Sequence, residues 1–87
     1  MEFQQYDLGQ VKSGSIVEVT LEYAANVRIM DSFNFSSYKR GDRCRFIGGY
    51  VTKSPYKASI PNSGHWYVAI DLGGHAGKIS SSVKVLP

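Results

Sequence analysis

The chain has 87 residues, is 43% hydrophobic and 13% aromatic, and carries a formal charge of +3. That length allows one domain with a single modest core, and the apolar fraction excludes a disordered chain. A lone cysteine, Cys44, excludes an internal disulfide framework, and no apolar run is long enough to span a membrane.

The opening MEFQQYDLGQVKSGSIVEVT carries acids early and no uninterrupted apolar stretch. It does not read as a signal peptide, and a cytoplasmic, reducing setting is expected. Within it FQQYDL (3–8) is a weak strand that ends before the KSG turn (12–14). SIVEVTLEY (15–23) is a strong one: Val17, Val19, Leu21 and Tyr23 alternate with Ile16, Glu18, Thr20 and Glu22, giving one apolar face. NVRIMD (26–31) repeats the pattern with Val27 and Ile29. SFNFSSYK (32–39) has room for one or two helical turns at most and is expected to be a loop. CRFIGGYVT (44–52) and PYKASI (55–60) are weaker strands, separated by the KSP turn (53–55). GHWYVAIDL (64–72) places Trp66, Val68, Ile70 and Leu72 on one face, and His65, Tyr67, Ala69 and Asp71 on the other. The first set is expected to face the core and the second to face solvent. KISSSVKVL (78–86) is the last strand. Seven or eight short strands at intervals of about 8–12 residues predict an all-β fold, a single compact antiparallel sandwich over residues 1–87.

Several spellings suggest chemistry and fail on spacing. In a phosphate-binding loop the glycine five residues before Gly77 would fall on Leu72, and Ile79 stands where a hydroxyl is needed. GGHAG (73–77) reads instead as a turn between strands. His65, His75, Cys44 and Asp71 are legitimate metal ligands, yet no C-x-x-C or H-x-x-x-H pair occurs, so no metal and no cofactor is expected. The eleven serines include no G-x-S-x-G elbow. A hydrolase would need a site assembled from distant loops. Arg40-Gly41-Asp42 spells an integrin-recognition string, which a cytosolic setting makes a chance tripeptide in a turn.

Charge placement is more informative. Residues 28–57 hold seven bases against two acids, and the rest of the chain holds three bases against five acids. The densest part is YKRGDRCRF (38–46), where cations lie beside Tyr38 and Phe46. Such a loop can contact anionic groups while an aromatic ring stacks on a ligand. The bland alternative is a solvated turn whose arginines cover aromatic surface. The candidate binding residues are Arg28, Tyr38, Lys39, Arg40, Arg43 and Arg45, with His65, Tyr67 and Asp71 as a secondary polar-aromatic group. An anionic ligand or an acidic protein partner fits this cluster. Nucleic acid fits less well, because +3 is modest for a dedicated binder.

Five motifs occur in order: NVR-x-MD, an aromatic-rich loop ending in Tyr-Lys-Arg-Gly, GGYVTKSPY, IPxSGHWYVxIDLGG and AG-x-I-x-x-SV. Over nearly the whole chain they resemble a family of small bacterial proteins known as a domain of unknown function, the one numbered eighteen eighty-three. The resemblance implies a compact β-sandwich. It also implies a portable module, sometimes placed beside Toll/interleukin-receptor-like signalling domains, rather than a self-sufficient enzyme. It supplies no catalytic residues. The P-x-S-G-x-W-Y-V-x-I-D string is also similar to jelly-roll sandwiches, an analogy of fold that names no ligand. The expected function is a non-enzymatic binding or interaction module that senses a ligand on behalf of a signalling or defence partner. It would act as a monomer or a dimer.

Overall fold

Alternating segments become strands wherever one of their faces can be buried, and seven do so among the described residues. A computed structural model describes residues 3–73 and 79–87. In chain order the elements are β1 (Gln4–Val11), β2 (Ile16–Leu21), β3 (Ala25–Asp31), α1 (Ser32–Arg40), β4 (Ile47–Val51), β5 (Tyr56–Ser59), β6 (Gly64–Asp71) and β7 (Ser81–Leu86). They form a four-stranded sheet in the order β1-β6-β3-β4 and a three-stranded sheet in the order β5-β2-β7. Every pairing is antiparallel. The all-β sandwich expected from periodicity is the fold observed, and no described helix is long and apolar enough to cross a membrane.

The main core lies between the sheets. Val17, Val19 and Leu21 from β2 meet Val27 and Ile29 from β3 and Trp66, Val68 and Ile70 from β6. Trp66 is anchored further by its indole N–H, which donates to the Asn62 carbonyl at 2.9 Å. The two sheets are also joined at one edge by side chains. Gln4 donates to the Ile79 carbonyl at 2.8 Å, and the Tyr6 hydroxyl donates to the Ser81 carbonyl at 3.0 Å. Tyr23 does not follow the alternation of β2: it lies beyond the strand's end and is exposed.

Residues 32–39, expected as a loop, form most of α1, and the reason is capping. The Asp31 carboxylate accepts the Asn34 backbone N–H at 2.9 Å, and Gly41 ends the helix in the left-handed region at φ 81°. Gly41 and Asp42 return their N–H groups to the Tyr38 and Ser37 carbonyls, closing the last turn. The helix covers the outer face of the four-stranded sheet. Phe35 is buried there with Met30 and Ala69, and Phe3, Tyr38, Cys44 and Tyr67 pack around them. Cys44 sits in the coil before β4 rather than in a strand.

This second small core corrects the expected solvent face of β6. Ala69 and Asp71 are buried, and Tyr67 stacks on Phe35 with centroids 4.2 Å apart. Alternation along β6 is real, but both of its faces are covered, as central strands often are.

Candidate ligand-binding site

The outer face of the four-stranded sheet arranges its polar residues in cross-strand rows. Asn26 on β3 stands opposite Asp71 on β6 and Tyr50 on β4, and Arg28 stands one row further along. Asp71 has a side chain only 1% exposed and lies between them as the acceptor for four donors. Its Oδ1 accepts from Asn26 Nδ2 at 2.9 Å and from the Gly73 N–H at 2.8 Å. Its Oδ2 accepts from Arg28 Nη1 and, at 3.2 Å, from the Tyr38 hydroxyl. Burial pushes the Asp71 pKa up, but the Asn26 amide, the Gly73 N–H and the Arg28 guanidinium outweigh it, leaving the carboxyl below its ordinary value. The Tyr38 phenol is shifted up, by burial first and by the Asp71 charge second, against the opposing pull of Arg28.

Arg28 is held in place from three directions. Besides its ion pair with Asp71, its guanidinium lies 5.3 Å from the Tyr38 ring centroid and 5.3 Å from that of Phe46. A cation fixed between two rings and a buried carboxylate is part of the packing. Arg28 and Tyr38 therefore meet, as the sequence suggested, but in a structural cluster with Asp71.

The remaining cations divide further. Lys39 extends over the Phe35 ring at 4.7 Å, covering the second core with its stem. Arg40 pairs with Asp42 at 3.0 Å on the exposed surface and reaches Ser37 Oγ at 3.3 Å. Arg43 and Arg45 are exposed and form no ion pair among the described residues. The loop that carries them is fixed at both ends, by the Gly41 cap and by the Arg45 N–H, which donates to Asn34 Oδ1 at 2.7 Å.

Beside Arg45 lies a cleft of about 320 Å³, whose walls include Asp31, Asn34, Phe46, Asn62 and Trp66. Its size falls within the range of small-molecule sites, roughly 300–1,000 Å³. One cation, two amides and an exposed aromatic edge line it. Asp31 adds a carboxylate, which is already engaged by the Asn34 backbone and side-chain amides at 2.9 Å each. Sequence reasoning found Arg45 and Phe46 but missed the other walls, because the cleft draws on three separate parts of the chain. The available local signal was Asp31, a residue type that favours the N-cap of a helix.

The secondary candidates take different places. His65 hydrogen-bonds Asp7 at 2.6 Å and stacks on Tyr67 at 4.8 Å, extending the aromatic column that begins at Phe35. The Asp7 pKa is lowered, first by the Gly9 backbone N–H and then by His65. This half-exposed pair is separate from Asp71, so His65, Tyr67 and Asp71 form no single site. A hydrolase would need a nucleophile beside His65; among the described residues no serine or cysteine hydrogen-bonds the imidazole. No group of three or more His, Cys, Asp or Glu among the described residues is arranged to hold a metal. His75, Lys78 and most of the glycine turn lie outside the described residues.

No curated protein and no solved structure matches the chain. A family model described as a domain of unknown function (DUF1883) matches residues 1–87.

Proposed function

The chain belongs to the DUF1883 family over its whole length, and from that premise we propose that it is a non-enzymatic recognition module that binds an anionic ligand through residues 41–46. The carrying observation is the pair Arg43 and Arg45, exposed and free of ion pairs among the described residues, on a loop tied down at both ends beside a 320 Å³ cleft. A rigid loop loses little entropy when a ligand docks, and two uncompensated guanidinium groups favour phosphate or carboxylate. The partly exposed Phe46 ring beside them gives the ligand an apolar surface to lie on. Arg28 is committed to Asp71 and Arg40 is paired with Asp42, so of the six candidates of the sequence this reading rests on Arg43 and Arg45, with the Lys39 charge nearby.

The cytosolic setting rests on the lone cysteine, which leaves no internal disulfide, and the link to a signalling or defence protein rests on the family resemblance. In that reading the bound anion is an input that the module passes to a partner domain.

Calorimetric titration tests the binding. The probes are inorganic tripolyphosphate, a glutamate-rich peptide and single-stranded RNA, each at low and at high salt. At least one should bind with an affinity that falls as salt rises, and the R43E/R45E variant should lose it while keeping its unfolding midpoint. Binding that survives the double reversal, or no binding to any probe, would contradict the proposal. A steep salt response to RNA alone would assign the loop to nucleic acid.

A further inference from the structure

At the opposite end of the four-stranded sheet from Arg45, a second and larger cleft has a different chemical character. Its volume is about 550 Å³, and it is lined by Tyr23, Ala24, Ala25, Asn26, Tyr50, Leu72, Gly73 and Ile79. None of those side chains is charged. Tyr23 comes from the β2–β3 turn and Tyr50 from β4, and they are 67% and 68% exposed. Two tyrosines so far out of the core contribute little to folding. They enter the same cavity from different elements.

We propose that this cleft binds a neutral sugar, with a pyranose ring taken between or against Tyr23 and Tyr50. Three features select that class. Aromatic faces offer apolar area without charge, which suits the C–H face of a pyranose. Among the described side chains that line the cleft, the polar groups are the two phenol hydroxyls, which donate and accept, and the Asn26 amide. Asn26 spends Nδ2 on Asp71, so its orientation is fixed and its carbonyl oxygen remains as an acceptor for a ligand hydroxyl. Finally, the carboxylate behind Asn26 is neutralised by Arg28, so among the described residues the floor of the cleft carries no net charge.

This site is separate from the proposed anion site in position and in chemistry. Asn26 and Asp31 lie at opposite ends of β3, and Tyr50 and Phe46 lie toward opposite ends of the β4 region. Small residues make room for the ligand at the cleft: Ala24 and Ala25 lie on the wall beside Tyr23. Gly73 completes the rim at φ +68°, where a Cβ would stand 3.3 Å from Asn26 Nδ2 and press on the amide that receives the sugar.

The test is a ¹H–¹⁵N titration of the full chain with the methyl pyranosides of glucose, galactose, mannose and N-acetylglucosamine. Adenine serves as a flat neutral heterocycle for comparison. At least one pyranoside should shift the amides of residues 23–26, 50, 72 and 73 while leaving residues 43–46 unmoved. Tyr23→Ala and Tyr50→Ala should each weaken that binding about tenfold. Tyr50→Phe keeps the ring and should retain most of the affinity. Unfolding midpoints of all three variants should match the parent. No shift from any pyranoside overturns the proposal, as do shifts confined to the loop at 43–46. Adenine binding with silent sugars, or full affinity in both alanine variants, overturns the sugar assignment.

Discussion

At Asp71 four donors converge on two carboxylate oxygens, so the folded chain favours the ionised form over what the unfolded chain does. The sign of the resulting pH dependence follows. With a folded pKa below the ordinary carboxylate value, the contribution is fully present above the unfolded pKa and is lost as pH falls through the folded one. Urea unfolding followed from pH 7 down to pH 3 should show stability dropping at the acid end, and Asp71→Asn should flatten the part of that drop that belongs to this group. At pH 7 the same substitution should cost about 2–3 kcal/mol, below the full value for a sealed pair because Arg28 keeps some solvent contact. An acid limb unchanged in Asp71→Asn would show that other carboxylates carry it. Of this network the sequence suggested only that Arg28 and Tyr38 would meet. Asp71 looked like a polar residue on an alternating strand, and its side-chain partners lie 33 to 45 positions away. Trp66 was legible, because its aliphatic neighbours at period two place it in the core. Trp66→Ala should cost about 3–5 kcal/mol, read as a large fall in the urea midpoint.

At the scale of elements, period-two alternation located the strands wherever it ran for six or more residues, in β2, β3 and β6. The helix was missed because its nine residues bury few side chains, chiefly Phe35, and leave Phe33 in solvent. Its signals were at its ends, Asp31 before the first turn and Gly41 after the last. Removing those signals should therefore loosen α1 without disturbing the sandwich. Asp31→Ala is expected to cost about 1 kcal/mol by denaturant titration, and Gly41→Ala about the same. A neutral result at both positions would mean that packing of Phe35 alone holds the helix. Gly48 makes a sharper demand on β4. Its φ is +121°, and a Cβ there would stand 2.3 Å from the Val27 carbonyl oxygen. Gly48→Ala must push β4 away from β3, so it should lower the unfolding midpoint by more than Gly41→Ala does. The sequence marked CRFIGGYVT (44–52) only as a weaker strand; the close backbone approach at Gly48 appears once β3 is its partner.

For the whole molecule, the sandwich separates its cations into two populations. Arg28 is drawn into the second core, between two rings and a buried carboxylate, while Arg43 and Arg45 remain on a fixed loop. The sequence displayed the charge density of residues 28–57 but not that division, because burial depends on which strand lies beneath α1. The all-β class was legible from turn spacing and alternation. The assignment of strands to two sheets was not, since β1 pairs with β6 and β2 with β7 across most of the chain length. The division of the cations is what makes the loop a candidate for binding rather than packing, so it is the claim to test first. The direct measurement is urea unfolding at pH 7 of Arg28→Ala beside R43E/R45E. Arg28→Ala should lose roughly 2–4 kcal/mol, because it strands the Asp71 carboxylate, and the double reversal should stay within about 1 kcal/mol of the parent. Equal losses in the two variants, or an Arg28→Ala chain as stable as the parent, would contradict the account.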